Sequence, residues 1–166
     1  MSKKTKAQSA MEYLMTYGWA ILIIAVVLGA LFSLGVFSGT SFMGTSCIAS
    51  PGYYCQNPTL SAKNNQLTFT FGQNTGTTIY NAVLYVAPQG SAVNNYGFPT
   101  QVVSNSIGTL YSGQTVTPIF YSISSLVGGT LSIGTPFTGY VWLNYSTTSN
   151  GPTSSAKVAT ITVKAS

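Results

Sequence analysis

Two patterns of hydrophobic and polar positions divide the chain. From Trp19 to Phe37 the residues are apolar except for Ser33, and no charge occurs between Glu12 and Lys63. An uncharged apolar run of about 20 residues is long enough to cross a bilayer as a helix. The pattern predicts one helix over residues 8–38, about 45 Å long at the usual rise per residue. It is apolar all round, which suits lipid or a bundle of like helices and not a half-wet protein surface. Gly29 and Gly35 lower its propensity by about 1 kcal/mol each relative to Ala, yet let neighbouring backbones approach closely. Residues 39–58, with Cys47, Pro51-Gly52, Cys55 and Pro58, read as an irregular connector.

Beyond the connector the period changes to two. Leu67, Phe69 and Phe71 alternate with threonines, and Gly72-Gln73-Asn74-Thr75-Gly76 supplies a turn. A second strand over 77–87 carries Ile79, Val83 and Tyr85. A polar loop over 90–101 follows, with Asn94-Asn95-Tyr96-Gly97. Short strands are predicted at 102–103, 108–111, 115–123 and 130–133. A terminal hairpin pairs 139–147 with 156–164 across Ser149-Asn150-Gly151-Pro152. The predicted class is α+β: a long hydrophobic N-terminal helix, then an antiparallel, immunoglobulin-like β-sandwich over residues 59–166.

Charge sharpens this picture. Only 4% of the 166 residues are charged; there is no histidine or arginine, and Glu12 is the single acid. The formal net charge of +5 does not describe a basic face. Lys3, Lys4 and Lys6 cluster before the helix, whereas Lys63, Lys157 and Lys164 are scattered. No phosphate-tracking stripe exists, which argues against nucleic acid as a partner. A basic flank ahead of an apolar run holds the N-terminus in the cytoplasm and sends the rest outward. General acid–base catalysis needs a titratable group near working pH, and residues 13–166 contain no His, Asp or Glu. No enzyme, cofactor or metal site is expected. Cys47 and Cys55 fall just after the helix on the exported side. Without a histidine they make no ordinary zinc site, and the short ring they would close predicts a disulfide worth roughly 2–3 kcal/mol, with free thiols as the alternative.

Lys6-Ala7-Gln8-Ser9-Ala10-Met11-Glu12, followed by Tyr13-Leu14-Met15-Thr16-Tyr17-Gly18-Trp19, resembles the class III signal peptide of archaeal type IV pilins. Gln8 and Glu12 match that pattern; Ala10 stands where it has Ser, and Thr16 where it has Leu. The resemblance covers roughly the first 38 residues. It implies that a prepilin peptidase removes residues 1–7 between Ala7 and Gln8. It also implies a membrane-held precursor, a pilus assembly platform as partner, and a homo-oligomeric helical filament with adhesion or surface attachment as its work. The alternative is an uncleaved, membrane-anchored surface protein.

Three further features keep two readings each. Glu12 either favours the positive end of the helix dipole or pairs with the amine that cleavage frees at Gln8, its own or a neighbour's. Asn144-Tyr145-Ser146 is the only N-glycosylation sequon, because Pro58 blocks Asn57-Pro58-Thr59, and it falls within a predicted strand. The aromatics Phe69, Phe71, Tyr85, Phe120, Tyr121, Trp142 and Tyr145 read as sandwich core, with a ligand platform as the other option.

Overall fold

The computed structural model describes residues 4–35, 44–94 and 97–166, with the side chains of residues 4–10 and of Leu14 left aside. Lys3, the expected helix end at 36–38, residues 39–43 of the connector and Asn95-Tyr96 of the loop lie outside the described residues. The chain forms two compact units, Met1–Phe42 and Met43–Ser166.

The first unit is α1 (Lys4–Ser33), 30 residues long. It begins four positions before the expected Gln8 and ends at Ser33. Gly35 is the cause of the stop. Its backbone is left-handed at φ 69°, and its N–H donates to the Phe32 carbonyl while Leu34 N–H donates to Ala30. A glycine in this conformation closes a helix by satisfying its last carbonyls.

The second unit is built from nine strands: β1 (Ser46–Ala49), β2 (Tyr53–Ser61), β3 (Gln66–Gln73), β4 (Ile79–Pro88), β5 (Val103–Leu110), β6 (Thr115–Val116), β7 (Ile119–Tyr121), β8 (Pro136–Ser146) and β9 (Ser154–Lys164), with a single-turn helix α2 (Ser124–Val127) after β7. One sheet has the order β1-β9-β8-β4-β5; the other is β2-β3-β6, with β7 also on β3. Every pairing between these strands is antiparallel. The alternation read at 67–71 is real: Leu67, Phe69 and Phe71 are buried, facing Leu84, Val86, Val141, Leu143 and Ile161 of the larger sheet. Phe69 stacks on Phe120 with centroids 5.5 Å apart. Each large apolar side chain sealed this way contributes about 1.5–3 kcal/mol.

Several local expectations give way to tertiary demands. Residues 46–58 are not irregular, because β1 pairs with β9 from Ser46↔Thr162 to Ala49↔Ala159 and β2 pairs with β3. The predicted strands at 102–103 and 108–111 merge into β5, which Gly108 bends at φ 82° without ending it. The predicted strand at 115–123 splits at Thr117-Pro118, where proline has no N–H to give a ladder. Residues 130–133 form no strand; Gly134 turns the chain there and its N–H donates to Ala165.

Both flanks of the two-sheet body are closed. On one, the Cys47–Cys55 disulfide joins β1 to β2 with Cα atoms 5.5 Å apart. Below it, Leu60 bridges Ala165, Ser166 N–H donates to Leu60, and Ala62 N–H donates to Ser166. On the other, Asn105 Nδ2 donates to the Ile119 carbonyl at 2.9 Å, tying β5 to β7. Closure of this kind covers strand edges that would otherwise template pairing with other chains.

Candidate functional site

The helix carries the first group of candidate residues. Met11, Tyr13, Met15, Tyr17, Trp19, Ile21, Leu22, Val26 and Phe32 point in every direction around α1 and are all exposed. Met11–Ser33 is long and apolar enough to span a membrane, and none of it is buried within the chain. A membrane anchor and a signal sequence both have a helix of this kind.

Glu12 is exposed at the polar end of that cylinder. Because α1 starts at Lys4, Glu12 sits beyond the first turn in the uncut chain, where the dipole's pull has faded. The first-turn reading therefore holds only for a chain cut before Gln8. The backbone runs helically through Ala7 and Gln8, while the side chains of Lys4, Lys6, Ala7 and Gln8 are outside the described set. Thr16 Oγ1 donates to the Glu12 carbonyl at 2.9 Å, and a shallow groove lies among Met11, Glu12, Met15 and Thr16. Tyr13 and Tyr17 meet one turn apart with their rings tilted at 37°, centroids 4.5 Å apart.

The second unit brings Cys47 and Cys55 together as the sequence suggested, and the bond anchors the first strand of the body to both sheets. Asn144 is half-buried on the outward face of β8 between β4 and β9. Its Oδ1 is enclosed, with no hydrogen-bond partner among the described residues. Ser146, the hydroxyl member of the sequon, is 1% exposed, and its Oγ accepts from Thr148 N–H.

The aromatics separate in a way that period-two reading missed. Phe69, Phe71 and Phe120 are core, and Tyr145 packs against it. Tyr121 is exposed at 58%. Tyr85 and Trp142 lie on the outer face of the larger sheet, paired across β4 and β8, under the loop that follows β4. Phe98 from that loop meets both edge-on, at 4.9 Å from Tyr85 and 5.7 Å from Trp142. Burying apolar rings is thus divided between an inner core and an outer, loop-covered cluster. The signal available in the sequence was the phase: Tyr85 and Trp142 alternate with the more aliphatic Leu84, Val86, Val141 and Leu143.

Tyr53 shows a related effect on its phenol. Partial burial, and after it the charge of the neighbouring Tyr145 phenol and a hydrogen bond with it, push its pKa up to about 12. Its ring lies over Phe71 at 6.0 Å.

No family model matches this chain, and no curated protein matches it. Among solved structures it is similar to the crystal structure of a DUF3823 family protein from Bacteroides ovatus, at 14% identity and a TM-score of 0.39. The match covers 69% of this chain and 56% of that one, so the chain spans just over half of the length of that protein.

Proposed function

We propose that this chain is the structural subunit of an archaeal type IV pilus-like extracellular filament. The observation that carries the reading is a single helix, apolar on every side and unburied within its own chain, whose start resembles a prepilin-peptidase substrate at Gln8 and Glu12. The precursor is held in the membrane with Lys3, Lys4 and Lys6 inside. Cleavage between Ala7 and Gln8 releases it to the assembly platform. The helices then bundle as a filament core by contacts that repeat without closing. The β unit forms the outer sheath, stapled by Cys47–Cys55, and serves adhesion or surface attachment.

In this reading the sheath domain is immunoglobulin-like. Two features support it: the chain crosses to the other sheet after the β2–β3 and β4–β5 hairpins, and the β4–β5 and β8–β9 hairpins lie back to back through β4 and β8. Its neutral Ser, Thr, Asn and Gln surface keeps it soluble without charge.

A second reading, an uncleaved surface protein anchored by α1, draws support from the unbroken helix through Ala7 and Gln8. The mass of the cell-surface protein separates the two. Loss of residues 1–7 together with isolation of the chain in filaments supports the first; an intact N-terminus on a monomer overturns it.

A further inference from the structure

A cleft of about 220 Å³ lies on the outer face of the larger sheet, between β8–β9 and the loop after β4. The loop contributes Ser91, Val93 and Pro99; the sheet contributes Tyr140, Trp142 and Lys157. The loop is a built wall. Gln89 N–H donates to Thr138, Thr100 N–H to Ala92, and Phe98 N–H to Asn94 Oδ1, while Val93 bridges Pro99 and Gln101 reaches the Ser125 carbonyl. Phe98 pins it to Tyr85 and Trp142.

The floor has a distinctive chemistry. Tyr140 and Trp142 are neighbours on one face of β8, and Lys157, paired across from Trp142, holds its Nζ 4.5 Å from the Tyr140 ring centroid. The π faces of such rings attract partial positive charge, which the C–H face of a pyranose offers. Lys157 has no acidic side chain to answer it, since the chain's one acid is Glu12 on α1. A second copy of this chain brings no better anion.

We propose that this cleft binds a uronate unit of an acidic polysaccharide, its ring face packed against Trp142 and its carboxylate held by Lys157, whose ammonium Tyr140 holds in place. The volume admits one sugar ring, so recognition is of a single unit within a longer chain. This site belongs to the β unit alone and stands whether α1 anchors a monomer or builds a filament.

The test uses the full-length chain in detergent with Trp19→Phe, which leaves Trp142 as the one remaining tryptophan of two. Oligogalacturonate should change Trp142 fluorescence saturably. Its methyl ester, identical but uncharged, should bind about tenfold more weakly, as should Lys157→Gln titrated with the acid. Tyr140→Ala should lose binding while the melting temperature, checked on each variant, stays near that of the parent. Equal affinity for acid and ester, wild-type affinity in a folded Lys157→Gln variant, no response to oligogalacturonate, or tighter binding of a mononucleotide would each overturn the proposal.

Discussion

Gln73 is the residue whose role is least visible from its identity. It continues the inward face of Leu67, Phe69 and Phe71, and is 1% exposed. A buried amide is costly unless its groups are paired. Here Nε2 donates to the Thr77 and Leu110 carbonyls, and Oε1 accepts from Thr75 N–H and Oγ1. One side chain thus shapes the β3–β4 turn and holds the end of β5. Gln73→Leu should lower unfolding free energy by about 1–3 kcal/mol in denaturant titration, because it strands buried backbone groups. Tyr53 belongs to the same scale. Its phenol is neutral in the folded protein up to about pH 12, whereas in the unfolded chain it ionises near 10. The folded state therefore holds the proton more tightly, and stability falls as pH rises from about 10 to 12. Tyr53→Phe should flatten that decline in melts taken across this range; an unchanged slope would count against the assignment.

At the scale of elements, α1 and β8 carry the main expectations. Glu12→Gln distinguishes the two readings of α1. As a dipole decoration it should cost at most about 1 kcal/mol per subunit and leave assembly intact. As the partner of the amine freed at Gln8, it would strand a positive charge in an apolar bundle, a loss of about 3–5 kcal/mol that recurs at every subunit. A cleaved but filament-free Glu12→Gln strain, established by protein mass and by counting filaments, supports pairing. Normal filament numbers would end it. In β8, Gly139 lies where a Cβ would stand 2.6 Å from the Ala87 carbonyl oxygen and 2.7 Å from the Phe137 ring. The carbonyl is backbone and cannot swing aside. Gly139→Ala should therefore part β4 from β8 and lower the melting temperature markedly, even though alanine is the smallest possible change.

For the molecule as a whole, the flank closed by Cys47–Cys55 and Leu60–Ala165 is the place where the ends of the β unit meet. Replacing both cysteines by serine should cost roughly 2–3 kcal/mol in the chain-entropy account and leave the two sheets in place. Urea unfolding with and without reductant measures this; a wild-type curve in the double variant would remove the staple from the energetics. If the filament reading holds, the same variant should still be processed, because insertion would then depend on Lys3, Lys4 and Lys6 and not on the body.

The sequence by itself determined whatever depends on residues close together in the chain. An apolar run is a helix of bilayer length because its backbone bonds are internal and its side chains need no particular partner. The alternation at Leu67, Phe69 and Phe71 identifies a half-buried strand for the same local reason. Two cysteines at a sequence separation of 8 made pairing a short-range matter. Tertiary structure decided what depends on distant neighbours. Strand β1 exists because β9, more than a hundred residues later, offers it an edge. The α2 turn forms where Asn65 reaches across to accept from Ser124 N–H and donate to its hydroxyl. Which aromatics line the core and which line the cleft followed from the loop folding over β4 and β8. The phase of alternation separates the faces of a sheet, but only the packed fold puts a second layer, or a loop, on each.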